Sequence, residues 1–246
     1  MTSFLRNHKN ILEKKNDQSR ESLKAGLKLL LNITQCNNKT LNTICVDFWE
    51  ILSRDLDKSL PQSNVLMKKF DRTNNNKYQL YQKCLHELKF ILMQQLPRPK
   101  EVLVVEDENG NVIKQEMKDT ETLALHRQMS KILFLLSEID PSDTRKVIGD
   151  KLSTFNNNNH NINFKNLNSL CWSIGSVAGS MPTEIEKSFL VVVIKILLSL
   201  CEVQRTKNAK AIIASCIMYV VRKYPRFLNR HWKFLQTVVR KLIEFL

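Results

Sequence analysis

Apolar positions recur along most of the chain at helical spacing, and prolines or polar clusters separate one run from the next. Glu21 to Ile33 carries Leu23, Leu27, Leu30 and Leu31 on one face, which predicts a helix. Thr40 to Leu56 repeats the pattern with Leu41, Ile44, Cys45, Phe48, Ile51 and Leu52. The polar stretch from Lys58 through Asn76 reads as a loop, or as a weak helix around Val65 to Phe70. Tyr78 to Leu96 is strongly amphipathic along Tyr81, Cys84, Leu85, Leu88, Ile91 and Leu92, and Pro97 and Pro99 stop it. Helices resume at Thr120 to Ile139, and again after Asp140-Pro141-Ser142 as far as Phe155. An Asn-rich loop over 156–162 leads into four more helical segments: Asn163 to Met181, Pro182 to Val203, Lys207 to Tyr224 and Phe227 to Leu246. Pro182 is placed at or near N1, with Glu184 and Glu186 in a first turn that suits their charge.

One stretch breaks the period. Glu101 to Met117 reads EVLVVEDENGNVIKQEM, with β-branched runs on either side of Asn109-Gly110-Asn111. Asn-Gly between apolar runs is the strongest short-range hairpin signal. Seven acids against two lysines over 101–121 give this ribbon a net charge of −5. Helix pairs of similar length, short loops and no central sheet predict an all-α fold. The architecture expected is an α-solenoid of HEAT-like hairpins over 1–246, with one acidic β-hairpin inserted at 101–119. The chain ends on Glu244-Phe245-Leu246 in mid-pattern, without a polar closing face, which predicts a piece of something longer.

Composition narrows the function classes. Among 246 residues, 43% are hydrophobic and 25% charged, so the chain is globular, with length enough for a sizeable core. Only five glycines and six prolines occur, and no Gly-rich phosphate or dinucleotide fingerprint is present. The six cysteines (36, 45, 84, 171, 201, 216) form no C-x-x-C pair and sit in apolar helical runs, which predicts buried thiols in a reducing compartment. The N-terminus lacks a signal-peptide stretch, and Phe189 to Cys201, interrupted by Lys195, is too short to span a membrane. A soluble intracellular protein is expected. His8, His86, His126 and His160 show no ligand spacing, and no nucleophile stands in a catalytic arrangement with His231. No cofactor, metal or enzymatic reaction is expected. The net charge of +14 predicts an acidic partner.

Two helices carry more apolar surface than one buried face requires. In Pro182 to Val203, Leu190, Val193, Leu197 and Leu200 make one stripe, and Val191, Ile194, Leu198 and Cys201 make a second. In Phe227 to Leu246 the stripes are Leu228, Trp232, Leu235, Val239 and Leu242, and beside them Phe227, Phe234, Val238 and Phe245. Two readings stand: burial on several sides in a tight solenoid, or a spare apolar groove that takes an amphipathic peptide. From Val203 to Leu246, ten cations face Glu244 alone, a net charge of +9. Acidic, leucine-rich peptides fit such a rim. Arg205 and Lys207 stand near Cys201 in sequence and would favour its thiolate, against the alternative of an inert buried thiol.

NFKNLNSLCWSIGSVAGSM (163–181), FLVVVIKILLSLCE (189–202) and AKAIIASCIMYVVRKYPRFLNRHWKFLQTVVRKLIEFL (209–246) resemble the exportin family of karyopherin-β nuclear export receptors. PRPKEVLVVEDENGNVIKQEMKDT (97–120) resembles that family's acidic loop, and CVDFWEILSRDL a mid-chain helix. The likeness implies a groove between adjacent outer helices that binds leucine-rich nuclear export signals of cargo proteins. Its walls would be Val191, Ile194, Leu198, Cys201, Ala214, Ile217, Met218, Phe227, Phe234, Thr237, Val238 and Phe245. Lys195, Lys207, Lys210 and Lys241 would edge it, with Glu202, Glu244 and His231 at the rim. By residue type His231 reads as packing or capping, and Lys241 as a snorkelling side chain. Cys201 resembles the groove thiol attacked by electrophilic inhibitors. Glu106, Asp107 and Glu108 resemble the regulatory loop through which the GTP-bound Ran GTPase opens the groove from behind. The resemblance further implies nuclear pore proteins as partners, no membrane insertion, and shuttling between nucleus and cytoplasm. It is to a central part of such receptors, whose Ran-binding N-terminal repeats and C-terminal tail fall outside the match. The alternatives from the residues are a basic solenoid that grips RNA through phosphates, set against only 7% aromatics and no stacking motif, and a truncated product that binds nothing.

Overall fold

A computed structural model describes residues 1–14, 16–36, 38–60, 75–100, 104–106, 112–114, 118–157 and 162–245. Among them are eleven helices and one two-stranded ribbon: α1 (Thr2–Lys14), α2 (Asp17–Gln35), α3 (Lys39–Ser59), α4 (Asn76–Gln95), β1 (Val104–Glu106), β2 (Val112–Lys114), α5 (Thr120–Ile139), α6 (Pro141–Asn157), α7 (Phe164–Ser176), α8 (Thr183–Val203), α9 (Lys207–Lys223), α10 (Pro225–Arg230) and α11 (Trp232–Phe245). The class is all-α, built from HEAT-like helical hairpins, as the hydrophobic period predicts. Residues 2–14, for which the pattern assigned no element, form a helix whose Leu5 is buried. The expected weak helix around Val65 to Phe70 lies outside the described residues. So do the hairpin tip Asn109-Gly110-Asn111 and most of the Asn-rich loop, whose first two residues close α6.

The chain divides into two compact units, residues 1–92 with 127–144, and residues 93–126 with 145–246. In the first, α1, α2 and α3 pack on one another around Leu23, Leu27, Leu30, Leu52 and Trp49, all almost fully buried. The Trp49 indole donates to the Thr34 hydroxyl at 2.9 Å, and that hydroxyl donates to the Leu30 carbonyl at 2.7 Å. No polar group of the pair is left wanting, which lets both side chains sit in the core. Tyr81 is buried on α4, and its hydroxyl reaches the Glu13 carboxylate at 2.8 Å.

In the second unit α9 is the central rod. It packs on α7 and α8, and the backbones of β1 and β2 approach it within 8 Å. The ribbon is antiparallel, with Val104 opposite Lys114, Val105 opposite Ile113 and Glu106 opposite Val112. Gly175 explains the close fit of α7 to α9: a Cβ there would stand 2.6 Å from Tyr219 Cε1 and 3.0 Å from Lys223 Cγ. Further along the same contact, Cys216 Sγ donates to Asn168 Oδ1 at 2.9 Å and the Tyr224 hydroxyl donates to the Ile174 carbonyl at 2.7 Å. Residue numbers rise together on both helices, so α7 and α9 run parallel, as the matching helices of successive hairpins do.

Pro182, expected at or near N1, is the N-cap of α8, one residue before the helix, with ψ of 145°. Two boundaries differ from expectation. The helix begun at Asn163 stops at Ser176, where a turn carries the chain to Gly179 at φ +85°. The single helix expected over Phe227 to Leu246 is two, because His231 (φ −126°, ψ 51°) leaves the helical path. Aromatic packing accompanies the break. Phe227 lies 4.5 Å from the His231 ring and meets Phe234 edge to face at 5.6 Å and 74°. On an unbroken helix, seven residues would separate Phe227 from Phe234 by about 10 Å along the axis.

Candidate functional site

α8 carries the first candidate wall. Its apolar period places Leu190, Val193, Leu197 and Leu200 in the core, each at most 1% exposed. Of the second stripe, Ile194 and Cys201 are also fully buried, while Val191 and Leu198 remain half-buried. The expectation of an entire spare stripe is corrected: every other member of it is consumed by the neighbouring helices. Val192, which the pattern gave no role, is 54% exposed.

The opposite wall follows the same logic. Val238 is 1% exposed and Phe227 9%, whereas Phe234 is half-buried and Thr237 exposed. The Thr237 hydroxyl donates back to the Lys233 carbonyl at 2.9 Å within α11. Of Phe245 only the backbone is described. Trp232 and Val239, expected in the buried stripe of this segment, are 66% and 37% exposed. The break at His231 is the reason: it turns α11 relative to α10, so the row through Leu228 does not continue through Trp232. On α9, Ala214 and Ile217 are buried, and Met218 is 49% exposed.

Polar residues tie these helices together. Lys241 Nζ lies 3.8 Å from Glu202 on α8 and 3.1 Å from Glu244 on its own helix. The Glu244 hydrogen bond and charge, with Glu202 behind them, hold the lysine above its ordinary pKa. It is therefore an ion-paired bridge from α8 to α11. Lys195, Lys207, Glu202 and Glu244 are exposed, and Lys210 and His231 are half-buried. His231 stacks on Phe227, the packing role that its residue type suggested.

Cys201 Sγ donates to the Lys210 carbonyl at 3.7 Å, across the turn that joins α8 to α9. Burial pushes its thiol up to about 11, an effect that Lys210 opposes and Glu202 reinforces. The expected help from Arg205 and Lys207 is corrected on this point. Lys210 is the cation that acts on Cys201, and desolvation outweighs it. Nothing in the sequence pattern distinguishes these contributions, because the depth of a helix terminus is set by its neighbours. Of the acidic loop, Glu106 contributes backbone to β1, and Asp107 and Glu108 lie outside the described residues. Among the described residues no helix is long and apolar enough to cross a membrane, and no cluster of three ligating side chains could hold a metal ion.

Residues 77–144 match CRM1 / Exportin repeat 2, and residues 158–208 match CRM1 / Exportin repeat 3. Along its whole length the chain is 39% identical to Exportin-1 of Dictyostelium discoideum and 40% identical to Exportin-1 of Drosophila melanogaster, covering 23% of each. Exportin-1 of Schizosaccharomyces pombe is 38% identical over 263 aligned residues, 24% of its length. The chain thus spans about a quarter of the length of these relatives. Two matched repeats and whole-length identity to exportins of slime mould, fly and yeast agree with the helical-hairpin architecture, and the chain belongs to the exportin family.

Proposed function

We propose that the α8–α11 face of this chain receives leucine-rich nuclear export signals of cargo proteins, as a binding surface at which no bond is made or broken. One observation carries the reading: Leu198 and Phe234 stay half-buried on two helices that touch and that Lys241 bridges. Side chains of that kind, apolar and already held by buried neighbours such as Ile194 and Val238, are suited to anchor leucines of an amphipathic segment. Lys195, Lys207 and Lys210 suit the acidic residues of such a segment.

The same reading extends to regulation. β1 and β2 approach α9, whose Ala214 and Ile217 belong to the candidate wall, so a partner that moves the acidic ribbon acts on the groove through α9. GTP-bound Ran is the partner proposed, with nuclear pore proteins and nucleocytoplasmic shuttling following from the family. Fluorescence polarisation with a labelled leucine-rich acidic peptide, with and without GTP-bound Ran, tests both layers. Saturable binding that survives added salt supports the groove, since apolar anchors are not screened. No binding of the peptide, or binding that collapses with salt as a phosphate-gripping surface would, overturns it.

A further inference from the structure

The six cysteines are all thiols, and two of them meet on different helices. Cys171 on α7 is 0% exposed and Cys216 on α9 is 2% exposed. Cys216 Sγ donates to Asn168 Oδ1 at 2.9 Å, and Asn168 and Cys171 are three residues apart on α7, on one face. The neighbouring Cys216 thiol and burial together push the Cys171 thiol well above its ordinary pKa. The helices approach closely because Gly175 offers no Cβ to Tyr219. Two thiols gathered around one asparagine on closely packed helices are the starting arrangement for a cross-link.

We propose that Cys171 and Cys216 form a disulfide when the folded chain meets hydrogen peroxide, a staple between parallel helices of consecutive hairpins. One sulfur, as thiolate, attacks a peroxide oxygen; the O–O bond breaks, hydroxide leaves, and a sulfenic acid forms. The other sulfur then attacks the sulfenic sulfur, the S–O bond breaks, and water departs with the thiol proton. Two thiols and one peroxide become one disulfide and two waters; the sulfurs lose the two electrons that peroxide gains. Burial and the neighbouring Cys216 thiol hold Cys171 protonated, so the first step is slow, and packing of the two helices favours the second over further oxidation.

The test is peroxide treatment of the intact chain in native buffer and, in parallel, in guanidinium. Remaining thiols are blocked with N-ethylmaleimide, and a non-reducing tryptic digest is read by mass spectrometry. The expected product joins peptide 166–187, which holds Cys171, to peptide 211–222, which holds Cys216, two hydrogens lighter than the separate peptides. In native buffer this pair should exceed every other cysteine pair at least tenfold, and guanidinium should abolish that preference. Cys216→Ser, which keeps a donor for Asn168, should remove the linked product while leaving the circular dichroism spectrum unchanged. Maleimide on both cysteines after native oxidation, sulfinic acid at either position, or a link formed only in guanidinium overturns the proposal. Peptide binding plays no part in the readout, so the outcome is separate from that of the groove.

Discussion

Lys89 Nζ, on a residue only 2% exposed, sits 2.9 Å from Asp143 Oδ2. The other oxygen of that carboxylate takes His86 Nδ1 at 2.7 Å, so one acid serves two bases from adjacent turns of α4. A buried ammonium persists only with a partner, and removing the partner leaves its charge stranded.

Asp143→Asn should therefore destabilise the fold by about 3 kcal/mol, the low end for a broken buried pair because the carboxylate is itself partly exposed. Burial pushes the Asp143 carboxyl up, but the charge and hydrogen bond of Lys89, with those of His86, pull it to a net position below its ordinary value. A depressed carboxyl contributes stability above its unfolded value, and that stability is lost as pH falls through the folded one. Urea melts of the wild-type chain should weaken as pH drops from about 4 towards 2, and the Asn variant should lose that part of the slope. Parallel slopes for the two proteins would refute the assignment.

Gly175→Ala places a methyl group against the Tyr219 ring, where no space exists. Overpacking of this kind costs about 1–3 kcal/mol. Tyr219→Leu should cost stability alone yet relieve the clash that Gly175→Ala creates. The double variant should thus be more stable than the sum of the two predicts, by about 0.5–3 kcal/mol. Chemical denaturation of the four proteins measures the cycle.

Leu198→Ala and Phe234→Ala should each weaken a leucine-rich peptide by about 1–3 kcal/mol, the range for interface anchors. Both side chains are half-buried, so circular dichroism melts must accompany the titration. Unchanged affinity in a folded variant would remove that residue from the site.

Labelling of Cys201 should follow its thiolate. With the thiol pushed up to about 11, the rate with a maleimide should rise roughly tenfold per pH unit above neutrality. Cys201→Ser should abolish that labelling at peptide 196–205 and leave peptide affinity within experimental scatter. A rate that is flat from pH 7 to 9 would mean a thiolate already formed.

The hydrophobic period carried much of the architecture. Thr120 to Ile139 begins and ends where the pattern places it, because Asp140-Pro141 closes one helix and opens the next. The antiparallel pairing of β1 with β2 was readable from the two β-branched runs. What the period did not carry was allocation. Ile194 and Leu198 belong to the same stripe by spacing, yet one is fully buried and the other stays half-buried, a tertiary decision. The break at His231 was hidden for a related reason. Neither proline nor glycine marks it, and the Phe227–Phe234 contact that accompanies it is one no local rule reports. The Lys241 bridge to Glu202 joins residues 39 apart in sequence and has no pattern to announce it.

The non-helical residue at 231 also insulates one segment from the other. A continuous rod transmits any slip as a rotation of about 100° per residue to everything downstream. Here α11 has lateral contacts of its own with α8 and α9 besides its contact with α10. A change of length in the YPRF stretch would therefore reach α11 through the Phe227–Phe234 contact and not as a forced rotation of one rod.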